Sequence, residues 1–117
     1  MKRVKITVLK TTLDRELAEE YGAEGLTACP MLREGQVFYA DYAKPEGFCD
    51  EAWKAVYQVA AFRPGPTARG EGPRSTTGGL DSQARRATCS CNDGLRPVIF
   101  KLEATDEESP LSYTPVQ

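Results

Sequence analysis

The residues able to do chemistry are four cysteines and one polar turn. Cys29, Cys49, Cys89 and Cys91 are the only thiols, and Cys91 runs directly into Asn92-Asp93-Gly94 and then Arg96. Four thiolates match the donor set of zinc or of an iron–sulfur cluster, and a Cys-x-Cys pair can place two ligands on one metal. The spacing is a weak signal, because there is no Cys-x-x-Cys and Cys29 and Cys49 stand singly on separate segments. Small buried free thiols are the plain alternative. The chain contains no histidine. That removes Ser-His-Asp and Cys-His nucleophile systems and every His-containing zinc site. A metal would have to use cysteine and carboxylate alone.

A cysteine-dependent redox or transfer reaction is the second chemistry, with Cys49 and Cys91 as candidate nucleophiles, and a non-catalytic interaction subunit using an exposed sheet edge is the third reading. Cys49 precedes Asp50 at or beside the start of a predicted helix, where the dipole favours negative charge. Asp50 and Glu51 oppose that effect, and without histidine the base would be a carboxylate or water. A packed thiol at a helix end is the competing reading. Asp93 and Arg96 form a candidate small-ligand site beside Cys91, with Arg96 offering a fork to a carboxylate or phosphate. Asn-Asp-Gly is first of all a simple turn, since Asn and Asp tolerate left-handed backbone and Gly supplies it freely. Cys29-Pro30-Met31-Leu32 either closes over the same site or caps one end of the core.

These residues need elements to hold them. Residues 3–9 place Val4, Ile6 and Val8 on one face and Arg3, Lys5 and Thr7 on the other, a half-buried strand. Thr11 and Thr12 offer an N-cap for a short helix over residues 13–21, with an apolar stripe at Leu13, Leu17 and Tyr21 and Gly22 as its stop. Residues 36–41 read as a second strand. Asp50 opens a second helix, with Trp53, Val56, Tyr57 and Ala60 at i, i+3, i+4, i+7. This pattern predicts Trp53→Ala to be among the most damaging core substitutions. Residues 96–103 give the last strand, with Val98, Phe100 and Leu102 inward. The expected fold is α+β: a three-stranded sheet with two helices on one face, in the order β-α-β-α-insert-β.

Residues 63–88 are expected to be a disordered, low-complexity insert. They are dominated by Gly, Pro, Arg, Ser, Thr and Ala, with Leu80 as the one large aliphatic residue. Residues 1–103 then form a single interrupted domain, and residues 104–117 a disordered tail. The chain has 117 residues, 15 basic and 17 acidic, for a net charge of −2. That balance argues against a nucleic-acid partner, and no apolar run approaches membrane-spanning length. The basic N-terminus leads into strand alternation instead of a signal-peptide core, so a cytoplasmic location is expected. Four thiols there are more often free, metal-bound or redox-active than paired.

Three blocks taken together resemble a family of very small, functionally uncharacterised proteins of anaerobic bacteria and archaea. They are Val4-Lys5-Ile6-Thr7-Val8-Leu9-Lys10; Cys29-Pro30-Met31-Leu32-Arg33-Glu34-Gly35-Gln36 with Phe48-Cys49-Asp50-Glu51-Ala52-Trp53; and Cys91-Asn92-Asp93-Gly94-Leu95-Arg96-Pro97-Val98. The resemblance spans about residues 2–61 and 89–103. It implies an intact small domain with a shared cysteine and Asn-Asp-Gly region, and it supplies no activity. In that family the Trp53 helix continues in apolar residues, whereas here it breaks at Arg63-Pro64. The Arg/Gly/Pro-rich residues 63–87 therefore read as partly frameshifted coding sequence or as a lineage-specific insert.

Overall fold

The computed structural model describes residues 2–61 and 86–108. They form β1 (Lys2–Thr11), α1 (Arg15–Tyr21), β2 (Val37–Ala40), α2 (Asp50–Ala61), β3 (Arg86–Ser90) and β4 (Val98–Glu108). The strands make one antiparallel sheet in the order β2-β1-β4-β3. The α+β class follows the sequence. The strand count is four instead of three.

The core forms because period-2 patterns on the two central strands coincide. Val4, Ile6 and Val8 of β1 and Val98, Phe100 and Leu102 of β4 are all buried. In register, Ile6 lies opposite Leu102 and Val8 opposite Phe100. The alternation thus projects all six side chains to one face. Ala52, Val56 and Val59 of α2 are buried in the same cluster. Each large apolar side chain so buried contributes about 1.5–3 kcal/mol.

β3 comes from the stretch read as the end of the insert. Ala87 and Cys89 turn inward against Leu102 and Phe100, while Thr88 is exposed. Its inward residues are small, so the hydrophobic pattern is faint. Residues 62–85, with most of the proposed insert or frameshift, lie outside the described residues. β4 also runs further than expected, to Glu108, through residues assigned to the tail. The Thr105 hydroxyl donates to the Arg3 carbonyl at 2.6 Å, and Arg3 Nη1 pairs with Glu107 at 3.2 Å. A register shift between Lys2 and Val4 accommodates the extra β4 residues. Residues 109–117 lie outside the described part.

Both helices differ from their sequence patterns in rotation. Asp14 caps α1, its carboxylate accepting the Leu17 N–H at 3.0 Å. Thr11 instead ends β1, and the Thr12 hydroxyl donates to the Pro97 carbonyl at 2.5 Å. The expected α1 stripe faces outward: Leu17 is exposed and Tyr21 is 71% accessible, while Ala18 is the buried residue. Ala18 lies outside the core cluster, so of the two helices only α2 contributes to it. On α2 the buried line runs Ala52-Val56-Val59, leaving Trp53 and Tyr57 half-buried. Phe48, just before the helix, is buried at this end and contacts the rings of Phe38, Trp53 and Phe100 at 5.0, 6.1 and 5.5 Å.

Candidate functional site

The polar turn is built by the strands on either side of it. Cys91 N–H donates to the Val98 carbonyl at 3.1 Å, and the Val98 N–H donates to Cys91 Sγ at 3.3 Å. The thiol thus accepts a backbone proton at the point where the β3–β4 connection closes. Inside that loop, Asp93 Oδ1 accepts the N–H groups of Leu95 and Arg96 at 2.9 and 3.1 Å. Asp93 Oδ2 accepts from Arg96 Nε at 3.1 Å. The bond from the Leu95 amide, with the Arg96 amide and guanidinium, holds the Asp93 carboxyl below its ordinary range against the opposing effect of burial.

The same turn ties three segments together. Arg96 Nη1 lies 3.4 Å from the Thr27 carbonyl, the Asp14 N–H donates to the Leu95 carbonyl at 2.8 Å, and Thr12 reaches Pro97. Asp93 and Arg96, read from the sequence as ligand contacts, are brought together and bond chiefly to each other and to backbone. Thr12 and Thr27 belong to this corner and carry no sequence signal beyond a hydroxyl or carbonyl near a loop. The nearby segment around α1 forms a cleft of about 420 Å³, with Leu13, Ala18 and Leu26 beside Arg15 and Glu19.

The four cysteines are all free, half-buried and packed against the core cluster. They divide by position. Cys89 and Cys91 lie two apart at the β3 end. Cys49 caps α2, its carbonyl accepting the Trp53 N–H at 2.9 Å, and Cys29 sits in the loop before β2. Among the described residues no group of three or more Cys, Asp, Glu or His is placed to hold a metal ion. The zinc or iron–sulfur expectation for Cys29, Cys49, Cys89 and Cys91 therefore finds no matching cluster. Two loop segments supply Cys29 and Cys49, while β3 supplies Cys89 and the residue after it is Cys91. Burial, helped by the neighbouring Cys91 thiol, pushes the Cys89 thiol up to about 12. Beside Cys49, the Asp50 carboxylate is 2.8 Å from Lys44 Nζ. The Lys44 hydrogen bond and charge lower its pKa, so this carboxylate is a poor base for a Cys49 nucleophile.

One further feature lies on the opposite face of the sheet. Among the described residues β2 is an edge strand, and its Val37 and Tyr39 are 45% and 49% exposed. The sequence signal for it was present: Phe38 and Ala40 alternate inward, so Val37 and Tyr39 make the outward face apolar as well.

Comparison with family models, with curated proteins and with solved structures finds no match to this chain. Fold and site together define a small α+β protein with a one-sided core on a four-stranded antiparallel sheet and free thiols at its margin. Among the described residues no helix is long and apolar enough to cross a membrane.

Proposed function

We propose that this chain is a non-catalytic interaction subunit that binds another polypeptide along the β2 edge. The observation that carries this reading is the pairing, on one strand, of exposed apolar side chains with backbone that is unpaired among the described residues. Val8 exchanges hydrogen bonds with the segment ending at Gln36, its N–H donating to the Gln36 carbonyl and its carbonyl accepting from Gly35. In an antiparallel ladder such pairs alternate. Ile6–Phe38 and Val4–Ala40 are thus the bonded pairs, and the peptide groups of Val37 and Tyr39 point away from the sheet. Val37–Ala40 carries neither proline nor charge to discourage strand addition.

The site chemistry supports the same reading. Cys89 has a raised thiol pKa, Asp93 is committed to a turn, and Asp50 is held by Lys44. The four free thiols fit a reducing compartment, so the cytoplasm is the proposed location. The resemblance to the small proteins of anaerobes is part of this proposal, since its three blocks supply β1, the approach to β2, the start of α2 and the Asp93 turn. A second reading, a cysteine-lined site for a small anionic ligand, draws on Arg96. Its side chain is partly exposed, and its bonds to Asp93 and Thr27 engage Nε and Nη1. Titration with acetate and inorganic phosphate should then move the Arg96 Nε resonance, and an unmoved resonance removes that reading.

Amide exchange tests the edge. In dilute, monomeric protein the Val37 and Tyr39 amides should exchange nearly unprotected while the Phe38 amide, bonded toward β1, is slow. Protection at Val37 and Tyr39 in the monomer would mean the edge is already covered, and the proposal fails. A thiol that alkylates far faster than an unfolded one near neutral pH would overturn its non-catalytic part.

A further inference from the structure

The occupant of this edge can be deduced from the strand itself. Resting on the open-edge reading, we infer that β2 pairs with β2 of a second copy of this chain, antiparallel, about a twofold axis at Phe38. In that register Val37 lies opposite the partner's Tyr39, and Tyr39 opposite the partner's Val37. Both are the residues whose peptide groups face outward, so each pair exchanges both its backbone bonds, about four bonds in all.

The side chains agree with this register on both faces. On the outer face it makes two β-branched–aromatic cross-strand pairs, a favourable combination. It joins the exposed Val37 and Tyr39 of both copies into one apolar patch. On the inner face Phe38, half-buried at the sheet edge against Phe48, meets its own mate. The flanking charges are compatible as well. Asp41 falls opposite the partner's Gly35, and Glu34 opposite the partner's Tyr42, so no like charges confront each other. The other edge strand is unsuited to the same role, because β3 places Arg86, Thr88 and Ser90 on the outer face. An isologous contact of this kind closes on itself as a dimer with a continuous sheet.

Sedimentation of the full chain from low micromolar to near-millimolar concentration tests the inference, with amide exchange read at both ends. The expected result is a mass rising toward twice the monomer. Exchange at Val37 and Tyr39 should slow by roughly tenfold or more at the high end, with Phe38 unchanged. A chain that stays monomeric, with both amides fast throughout, overturns self-pairing and leaves the open edge to a different polypeptide. Amides slow even in the monomer overturn the open edge itself. Charge exchange tests the register. V37K and Y39E should each weaken the dimer. The double variant should recover it, because the new ammonium at position 37 then faces the new carboxylate at position 39 of the other copy. A double variant no tighter than either single one overturns the register, as does a dimer indifferent to both.

Discussion

Arg96 and Asp93 form a short-range ion pair, Nε to Oδ2 at 3.1 Å, inside a turn whose Asp93 Oδ1 already holds two backbone amides. The two amide bonds to Asp93 shape the β3–β4 connection, and Arg96 reaches on to the Thr27 carbonyl. Structural duty therefore consumes most of what the sequence offered as a binding site. Asp93→Ala should destabilise the fold by about 1–2 kcal/mol, the usual effect of removing a side chain that caps backbone N–H groups. The ion pair adds little to that, because Asp93 is more than a third exposed and solvent screens it. Since the folded pKa of Asp93 is lowered, its contribution is present above the unfolded carboxylate value. It is lost as pH falls through the lower folded value. Urea melts of wild type and Asp93→Asn across the acid range should converge at low pH.

Cys89 should be the slowest thiol to alkylate. A rise from 9.0 to about 12 reduces its thiolate fraction near pH 8 by about a thousandfold. The same shift gives a stability change of the opposite sense to that of Asp93. Folding with a raised thiol pKa is favoured fully below about 9, and the advantage is lost as pH rises toward about 12, where only the unfolded chain ionises freely. Mass mapping after timed iodoacetamide treatment checks the rate order. Alkylation of Cys89 ahead of the other three would contradict the burial that sets its pKa.

The pattern of legible and hidden elements has a physical basis. Val4, Ile6 and Val8, and Val98, Phe100 and Leu102, are large and alternate cleanly, so β1 and β4 were readable from residue type alone. β3 escaped because Ala87 and Cys89 bury little area each, and their partners, Leu102 and Phe100, lie on another strand. The acidic end of β4 escaped because its strand character comes from pairing with Lys2 and from Thr105 bonding to Arg3. No intrinsic preference of Asp106, Glu107 and Glu108 reveals that. At the turn, spacing brought Cys91, Asp93 and Arg96 into view, but only the hydrogen bonds distinguish a turn from a binding site. The position of β2 at the end of the described sheet needed the strand order, since Val37-Phe38-Tyr39-Ala40 would read identically in a central strand.

Gly22 and Gly47 should respond differently to alanine. Gly22 has an ordinary extended backbone, with φ −85°, yet a Cβ there would stand 2.7 Å from the Ala18 carbonyl oxygen. The helix end would have to move, at about 1–3 kcal/mol for overpacking. Gly47 has φ 79° and open space around it. Its substitution costs only the left-handed backbone, about 1–2 kcal/mol. Loss of the Gly22-to-Ala18 amide protection in Gly22→Ala, but not in Gly47→Ala, would separate the two causes.

Phe48 should outrank Trp53 as the aromatic the fold depends on. The helical period singled out Trp53 because it begins a regular stripe, whereas Phe48 lies before the helix, outside any period. In space Phe48 is 3% exposed and touches rings from β2, β4 and α2, while Trp53 is half-buried and borders Tyr57 at 5.3 Å. Removing Phe48 leaves a cavity lined by Phe38 and Phe100 that the sheet cannot collapse to fill. Phe48→Ala should therefore lose about 3–5 kcal/mol. Trp53→Ala should lose less, because its remaining neighbours already meet solvent and can close over the gap. Parallel denaturant melts decide the order. Equal losses would mean that the helix stripe, and not the ring cluster at its mouth, joins α2 to the sheet.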